Sequence, residues 1–268
     1  MISLTIDQGV AEVVLDAPYK LNALDHAGLE ELSEAIDTAA SAVATGDVRA
    51  LLLRAEGRAF CAGRDISAVD PVSDDAAAYL EGSLEPLLTK MSAFPAPTFA
   101  AVQGACLGVG LGLLMATDVV YVAENAKFGS PFAKLGATLD SGGHWYFTER
   151  VGMHRTLDLI YTAELISGSE AVEQGMFSRA MPADELLERT RAIVAKAAIG
   201  PTEAFTASKA LVARIRDQRL GMWEAMAQEN REQVRLCGTP DYVEGFRAFQ
   251  DKRTPVFTGV VPERKHSS

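Results

Sequence analysis

Basic residues are in short supply here: 25 lysines and arginines face 36 aspartates and glutamates, for a net charge of −11. That balance excludes the broad basic surface that nucleic-acid binding needs. A local basic pocket can still hold a phosphorylated ligand. Cysteine is scarcer still. Cys61, Cys106 and Cys237 are odd in number, scattered, and form no CxxC pair. A disulfide framework is therefore excluded, and reduced thiols are expected. The four histidines lie far apart, so no metal site is indicated. The longest nearly uncharged apolar stretch, Ala105 to Thr117, is too short to span a bilayer. Met1-Ile2-Ser3-Leu4 has no basic region and opens no long apolar run, so a secretory signal is not expected. The expected setting is the cytoplasm, with no membrane and no nucleic acid as partners.

What is present is enough apolar residue, 48% of 268, to fill one large core. Ile2, Leu4 and Ile6 alternate with polar residues, and Val13 and Leu15 follow a Gln8-Gly9 turn, which predicts a hairpin. Asp25 is placed to cap a helix whose buried face is Leu29, Leu32 and Ile36. Ala50 to Leu53, Thr98 to Val102 and Val119 to Ala123 read as short buried strands. Periodicity predicts helices over Tyr79 to Met91 and His144 to Val151. Asp65 could cap a short helix, and Asp70 to Asp75 reads as a mobile loop. From Met153 to about Gln250 the pattern is largely helical, with turns at Gly168, Gly175, Gly200, Gly221 and Gly238. Residues from Gly259 onward read as a frayed tail.

Two glycine-rich stretches stand out. Gln103 to Asp118 reads as a turn feeding the N-terminus of a helix, with Gly104, Gly108, Gly110 and Gly112 allowing close backbone approach. Such a turn leaves backbone N–H groups free for an anion or a developing oxyanion. On its own it could equally be a glycine-lined buried helix. A second apolar-to-glycine turn, Phe60-Cys61-Ala62-Gly63-Arg64-Asp65, precedes it.

Together, Phe60–Asp65 and Gln103-Gly104-Ala105-Cys106-Leu107-Gly108-Val109-Gly110 resemble the paired oxyanion-hole segments of the crotonase superfamily, the enoyl-CoA hydratase/isomerase group. The resemblance runs from Ile2 to about Phe257, and includes Lys20-Leu21-Asn22-Ala23-Leu24 and Phe249-Gln250-Asp251-Lys252-Arg253. It implies an α/β fold, a spiral of strand-strand-helix repeats over residues 1–200. A helical C-terminal region over 201–268 would build a homotrimer or a dimer of trimers. It also implies an acyl-CoA thioester substrate, with coenzyme A as part of that substrate and no separate cofactor or metal. The two oxyanion donors would be the backbone N–H groups of Arg64 and Val109, where any side chain serves. By the same resemblance Ala23, Ala62, Gly63, Asp65, Ile66, Gly108, Phe132 and Leu135 would contact the substrate, and Lys20, Arg58 and, from a neighbouring subunit, Lys252 would meet its phosphates.

The resemblance breaks at two places. Hydratases of this family carry two glutamates that handle water, at the positions of Gly112 and Phe132 here. Neither glycine nor phenylalanine can deprotonate a water molecule. A different acid is present: Asp140, in Leu139-Asp140-Ser141-Gly142-Gly143, resembles the catalytic aspartate of the 1,2-epoxyphenylacetyl-CoA isomerase type. Dienoyl-CoA isomerases and 4-chlorobenzoyl-CoA dehalogenases are similar there, but their further acids, tryptophan or histidine have no match at Gly112, Phe132 or Thr89. Read without the family, Asp140 could be a helix cap, and Phe132, Trp145, His144 and Tyr146 could be core or surface residues. The expectation is an isomerase with Asp140 as acid/base. The alternatives are a hydratase that recruits Asp140 and a non-catalytic acyl-CoA-binding homologue.

Overall fold

Alternating apolar residues build the first hairpin. In the computed structural model, which describes residues 1–259, β1 (Ile2–Asp7) pairs antiparallel with β2 (Gly9–Leu15). α1 (His26–Ala44) starts at Asp25, whose carboxylate accepts the Gly28 N–H at 2.8 Å. Its face of Leu29, Leu32 and Ile36 is buried. β3 (Val48–Ala55) is buried along nearly its whole length, the pattern of a parallel strand covered on both faces. A short β4 (Ala59–Cys61) leads through a loop to α2 (Ala76–Tyr79) and α3 (Glu85–Ser92), joined by a π turn over Leu80–Leu84. β5 (Thr98–Val102), β6 (Ala105–Leu107) and α4 (Val109–Met115) follow. Then come β7 (Val119–Ala123), β8 (Lys127–Gly129) and α5 (Gly143–Thr162). β9 (Ile166–Ser167), α6 (Gly168–Glu173), β10 (Arg179–Met181) and α7 (Leu186–Ala198) complete the core. α8 (Thr202–Gln218), α9 (Met222–Leu236) and α10 (Pro240–Gln250) form a helical C-terminal region.

The strands divide between two sheets. The larger has the order β1-β2-β3-β5-β7-β10 and is parallel beyond the hairpin. The smaller has the order β4-β6-β8-β9, with only β9 antiparallel. The pairs β3–β4, β5–β6 and β7–β8 each send their first strand to the large sheet and their second to the small one. This is the α/β spiral that the resemblance implies. Its consequence is local: the C-terminal ends of β4, β6 and β8 lie side by side.

Several elements differ from the sequence reading. β6 falls inside a stretch read as turn, and β8 inside one read as a turn approach. β9 and β10 interrupt a region read as helical. Strands of two or three residues are too short to carry a period of two. The helix expected over Tyr79 to Met91 contains the π turn. The one expected over His144 to Val151 runs on to Thr162 across a break at Gly152, at φ 75° and ψ 167°. Asp65 caps no helix; only a turn follows it. Gly168 opens α6 instead of forming a turn. The expected tail beyond Gly259, and with it the end of the 201–268 unit, lies outside the described residues.

Candidate active site

β4 and β6 are parallel neighbours, with Ala59 opposite Ala105 and Cys61 opposite Cys106. The glycine turns that leave them therefore meet. Gly63 and Gly108 sit at φ 106° and 51°, in the left-handed region. A side chain on Gly63 would begin 3.3 Å from the Leu107 carbonyl, and one on Gly108 would begin 3.7 Å from the Gly63 Cα. Just past these glycines come Arg64 and Val109. Neither backbone N–H donates a hydrogen bond within the described residues. Val109 is the first residue of α4, where N–H groups have no intrahelical acceptor.

The Lys20–Leu24 segment holds the first turn in place. Ala62 N–H donates to the Leu21 carbonyl at 3.0 Å, Leu24 N–H to Gly63 at 2.9 Å, and Asp65 N–H to Leu24 at 2.9 Å. Asn22 anchors the segment. It is buried, its Oδ1 accepts the Ala17 N–H, and its amide donates to the Glu56 and Ala59 carbonyls. Both Leu21 and Asn22 adopt positive φ, which these bonds must sustain. Ala23 is buried beside them. Lys20 Nζ lies 3.2 Å from Asp25 and 3.0 Å from Asp65. Burial disfavours the ammonium, but the two carboxylates outweigh this and raise its pKa. The Ser67 hydroxyl and Lys20 hold Asp65 down at about 2. The Arg64 guanidinium lies over the Tyr79 ring at 4.4 Å and grips Asp74 with two hydrogen bonds of 2.8 and 2.6 Å. Asp74 thereby ties the 66–75 loop to this turn.

On the other side, Phe132 lies in the single helical turn Pro131–Leu135, its ring 3.5 Å from where a Gly108 side chain would start. Gly112, inside α4, is closed off. A Cβ there would stand 2.9 Å from the Ser141 Cβ and 3.3 Å from the Leu88 Cδ1. No acid fits at that position without moving Ser141. Asp140 is not a helix cap: α5 begins after Gly142 with no side-chain cap bond. Instead its Oδ1 accepts the Ser141 hydroxyl at 2.7 Å. Burial raises the Asp140 pKa, against the opposing pull of the Ser141 bond and the Arg64 charge. From Asp140 and Gly142 a mostly apolar cleft of about 1300 Å³ runs between α3, α5 and α8, past Leu88, Met115, Trp145 and Phe205. Phe132, expected to contact the substrate, lies beside Gly108 and is not part of this cleft.

Lys20, Ala23, Ala62, Gly63, Arg64 and Asp65 thus share one bonded patch. Gly108, Val109 and Phe132 adjoin it, and Asp140 is close enough to feel the Arg64 charge. Ile66 and Leu135 are exposed at its rim. Arg58 precedes β4 and so stands at the opposite end of that strand from Arg64. Lys252 follows α10, and no ion pair or side-chain hydrogen bond joins it to the patch among the described residues. His144 is exposed and Tyr146 is buried, with its hydroxyl donating to the Met176 carbonyl. Trp145 is 45% exposed on the cleft wall, so it is no core residue. Ser141, Tyr79 and Asn22 were not singled out from sequence, because their partners are set by folding. Among the described residues no cluster suited to a metal ion occurs, and no helix is long and apolar enough to cross a membrane.

The enoyl-CoA hydratase/isomerase family model matches residues 5–260. The chain belongs to the enoyl-CoA hydratase/isomerase family. A Rhodobacter capsulatus relative named as a probable enoyl-CoA hydratase is 37% identical, covering 96% of this chain and 98% of its own. The 1,2-epoxyphenylacetyl-CoA isomerase of Escherichia coli is 30% identical over 95% and 97% of the two chains. The crystal structure of an enoyl-CoA hydratase from Bacillus anthracis superposes with a TM-score of 0.86 at 26% identity, over 97% of this chain and 99% of that one. Membership of the crotonase superfamily, read from the two glycine turns, holds along the whole matched length. Most of the relatives' names say hydratase, and the Escherichia coli protein is named an isomerase.

Proposed function

We propose that the protein is an acyl-CoA thioester isomerase, acting in the cytoplasm as a homotrimer or dimer of trimers. The Arg64 and Val109 N–H groups hold the thioester oxygen as it gains charge, and Asp140 removes a proton and returns it at another carbon. One observation carries the reading. The two places where a hydratase of this family holds its water-handling acids are Gly112, packed shut by Ser141, and Phe132, while the half-buried Asp140 remains, near enough to feel the Arg64 charge. Its raised pKa suits a base. Coenzyme A enters as part of the substrate, and no further cofactor takes part. Lys20 is engaged by two carboxylates, so Arg58 and Lys252 are the better candidates for the phosphates.

A hydratase that uses Asp140 is the second reading, favoured by the name of the Rhodobacter relative. Incubation with crotonyl-CoA and a series of unsaturated acyl-CoA isomers in deuterated water separates the two. An isomerase gives deuterium exchange and a shifted double bond. A hydroxyacyl product formed at an ordinary hydratase rate overturns the proposal. Absence of both reactions leaves an acyl-CoA-binding protein.

A further inference from the structure

We propose that Ser141 is a positioning residue for Asp140: its hydroxyl fixes one carboxylate oxygen and leaves the other free to take the substrate proton. The inference rests on Asp140 being the base. Three observations meet at this residue. Its hydroxyl donates to Asp140 Oδ1 at 2.7 Å. Its backbone stands at φ 56°, in the left-handed region that a serine adopts only under constraint. Its Cβ fills the space above Gly112, the place from which a second acid is missing.

These fit one purpose. A carboxylate with both oxygens free rotates about its last torsion and presents either oxygen to the substrate. A short bond from the adjacent residue holds it in one orientation. The left-handed backbone turns the Ser141 hydroxyl back toward its own neighbour, and the packing of its Cβ against α4 keeps the turn from relaxing. The closed space above Gly112 and the ordered Asp140 thus have one cause. The bond also favours the charged form, against the desolvation that burial imposes. The other charged or titratable groups facing Asp140 are Arg64 from the turn after β4, itself bound to Asp74, then Tyr79 from α2 and His144 from α5. None of them donates a hydrogen bond to the Asp140 carboxylate.

Two substitutions separate the hydroxyl from the backbone. Ser141→Ala keeps the Cβ and the strained φ, and Ser141→Gly removes both. If the hydroxyl is what matters, both variants move the acidic limb of the kcat/KM–pH profile upward. A bond to a charged group corresponds to a shift of about one pH unit, or roughly tenfold in rate on that limb. Ser141→Gly should melt no lower than Ser141→Ala, because glycine accepts the positive φ freely. The inference is overturned if the limb stays in place in both variants, or if it moves in only one of them and follows the melting temperature. Asp140→Asn serves as the companion. Loss of exchange in Asp140→Asn beside an unmoved limb in the Ser141 variants sinks this inference alone. Exchange that survives in Asp140→Asn sinks the base assignment and this inference with it.

Discussion

Asp65 and Asp140 are two carboxylates that their surroundings push in opposite directions. The Ser67 hydroxyl and Lys20 hold Asp65 at about 2, below its unfolded value, so it adds stability above about pH 4 that is lost as the pH falls through about 2. Burial raises Asp140 above its unfolded value, so the folded state is increasingly disfavoured as the pH rises through the raised pKa. The penalty grows between the unfolded value and the raised pKa and is complete above it. Asp140→Asn should therefore raise the melting temperature at pH 7 by roughly 1–3 °C, with the gain shrinking as the pH is lowered toward 4. A fall of similar size in a thermal melt would mean that the carboxylate serves the fold. The sequence reading singled out Asp140 through the family resemblance, as the acid at a position where the superfamily places catalytic carboxylates. It could not find the grip on that acid. The left-handed backbone at Ser141 and the contact with Gly112 exist only once α4 and α5 have packed.

Among the elements, α4 matters most, because its first residue carries the second oxyanion donor. Val109→Ala should be mild, since only the backbone N–H is used. Val109→Pro removes that N–H at the first helical position, where proline is accepted. Loss of one donor typically lowers turnover about 10²–10³-fold. Circular dichroism checks that the variant folds, and full activity in a folded Val109→Pro protein would mean that the donor lies elsewhere. The elements that present this site were only partly legible. β1, β2, β3, β5, β7 and α1 show clear periodicity or long buried runs. The small sheet does not, because its strands span only two or three residues and register with one another across the spiral. The glycines on either side of it were the readable signal, through the backbone freedom they supply at Gly63 and Gly108.

For the whole molecule, the C-terminal helices leave Met222, Trp223, Val234, Phe246 and Phe249 exposed. Apolar residues gathered on one region mark a surface that a partner covers. Such a surface is what the proposed trimer or dimer of trimers would bury. Light scattering at micromolar concentration should give about three or six times the 28.6 kDa chain mass, and a single-chain mass would rule the assembly out. Composition alone reveals none of this, since only packing settles which apolar residues stay exposed, and α9 buries none of its residues within the chain.

The central claim is that Asp140 moves the proton at the thioester's neighbouring carbons. It is tested most directly by mass-spectrometric measurement of deuterium incorporation into an unsaturated acyl-CoA, comparing the wild type with Asp140→Asn. Asparagine keeps the shape and the acceptor for Ser141 but cannot serve as base. The account predicts exchange and bond migration in the wild type. In Asp140→Asn it predicts a loss of roughly 10²–10⁴-fold, with thioester affinity nearly unchanged. Exchange at the wild-type rate in Asp140→Asn would contradict it.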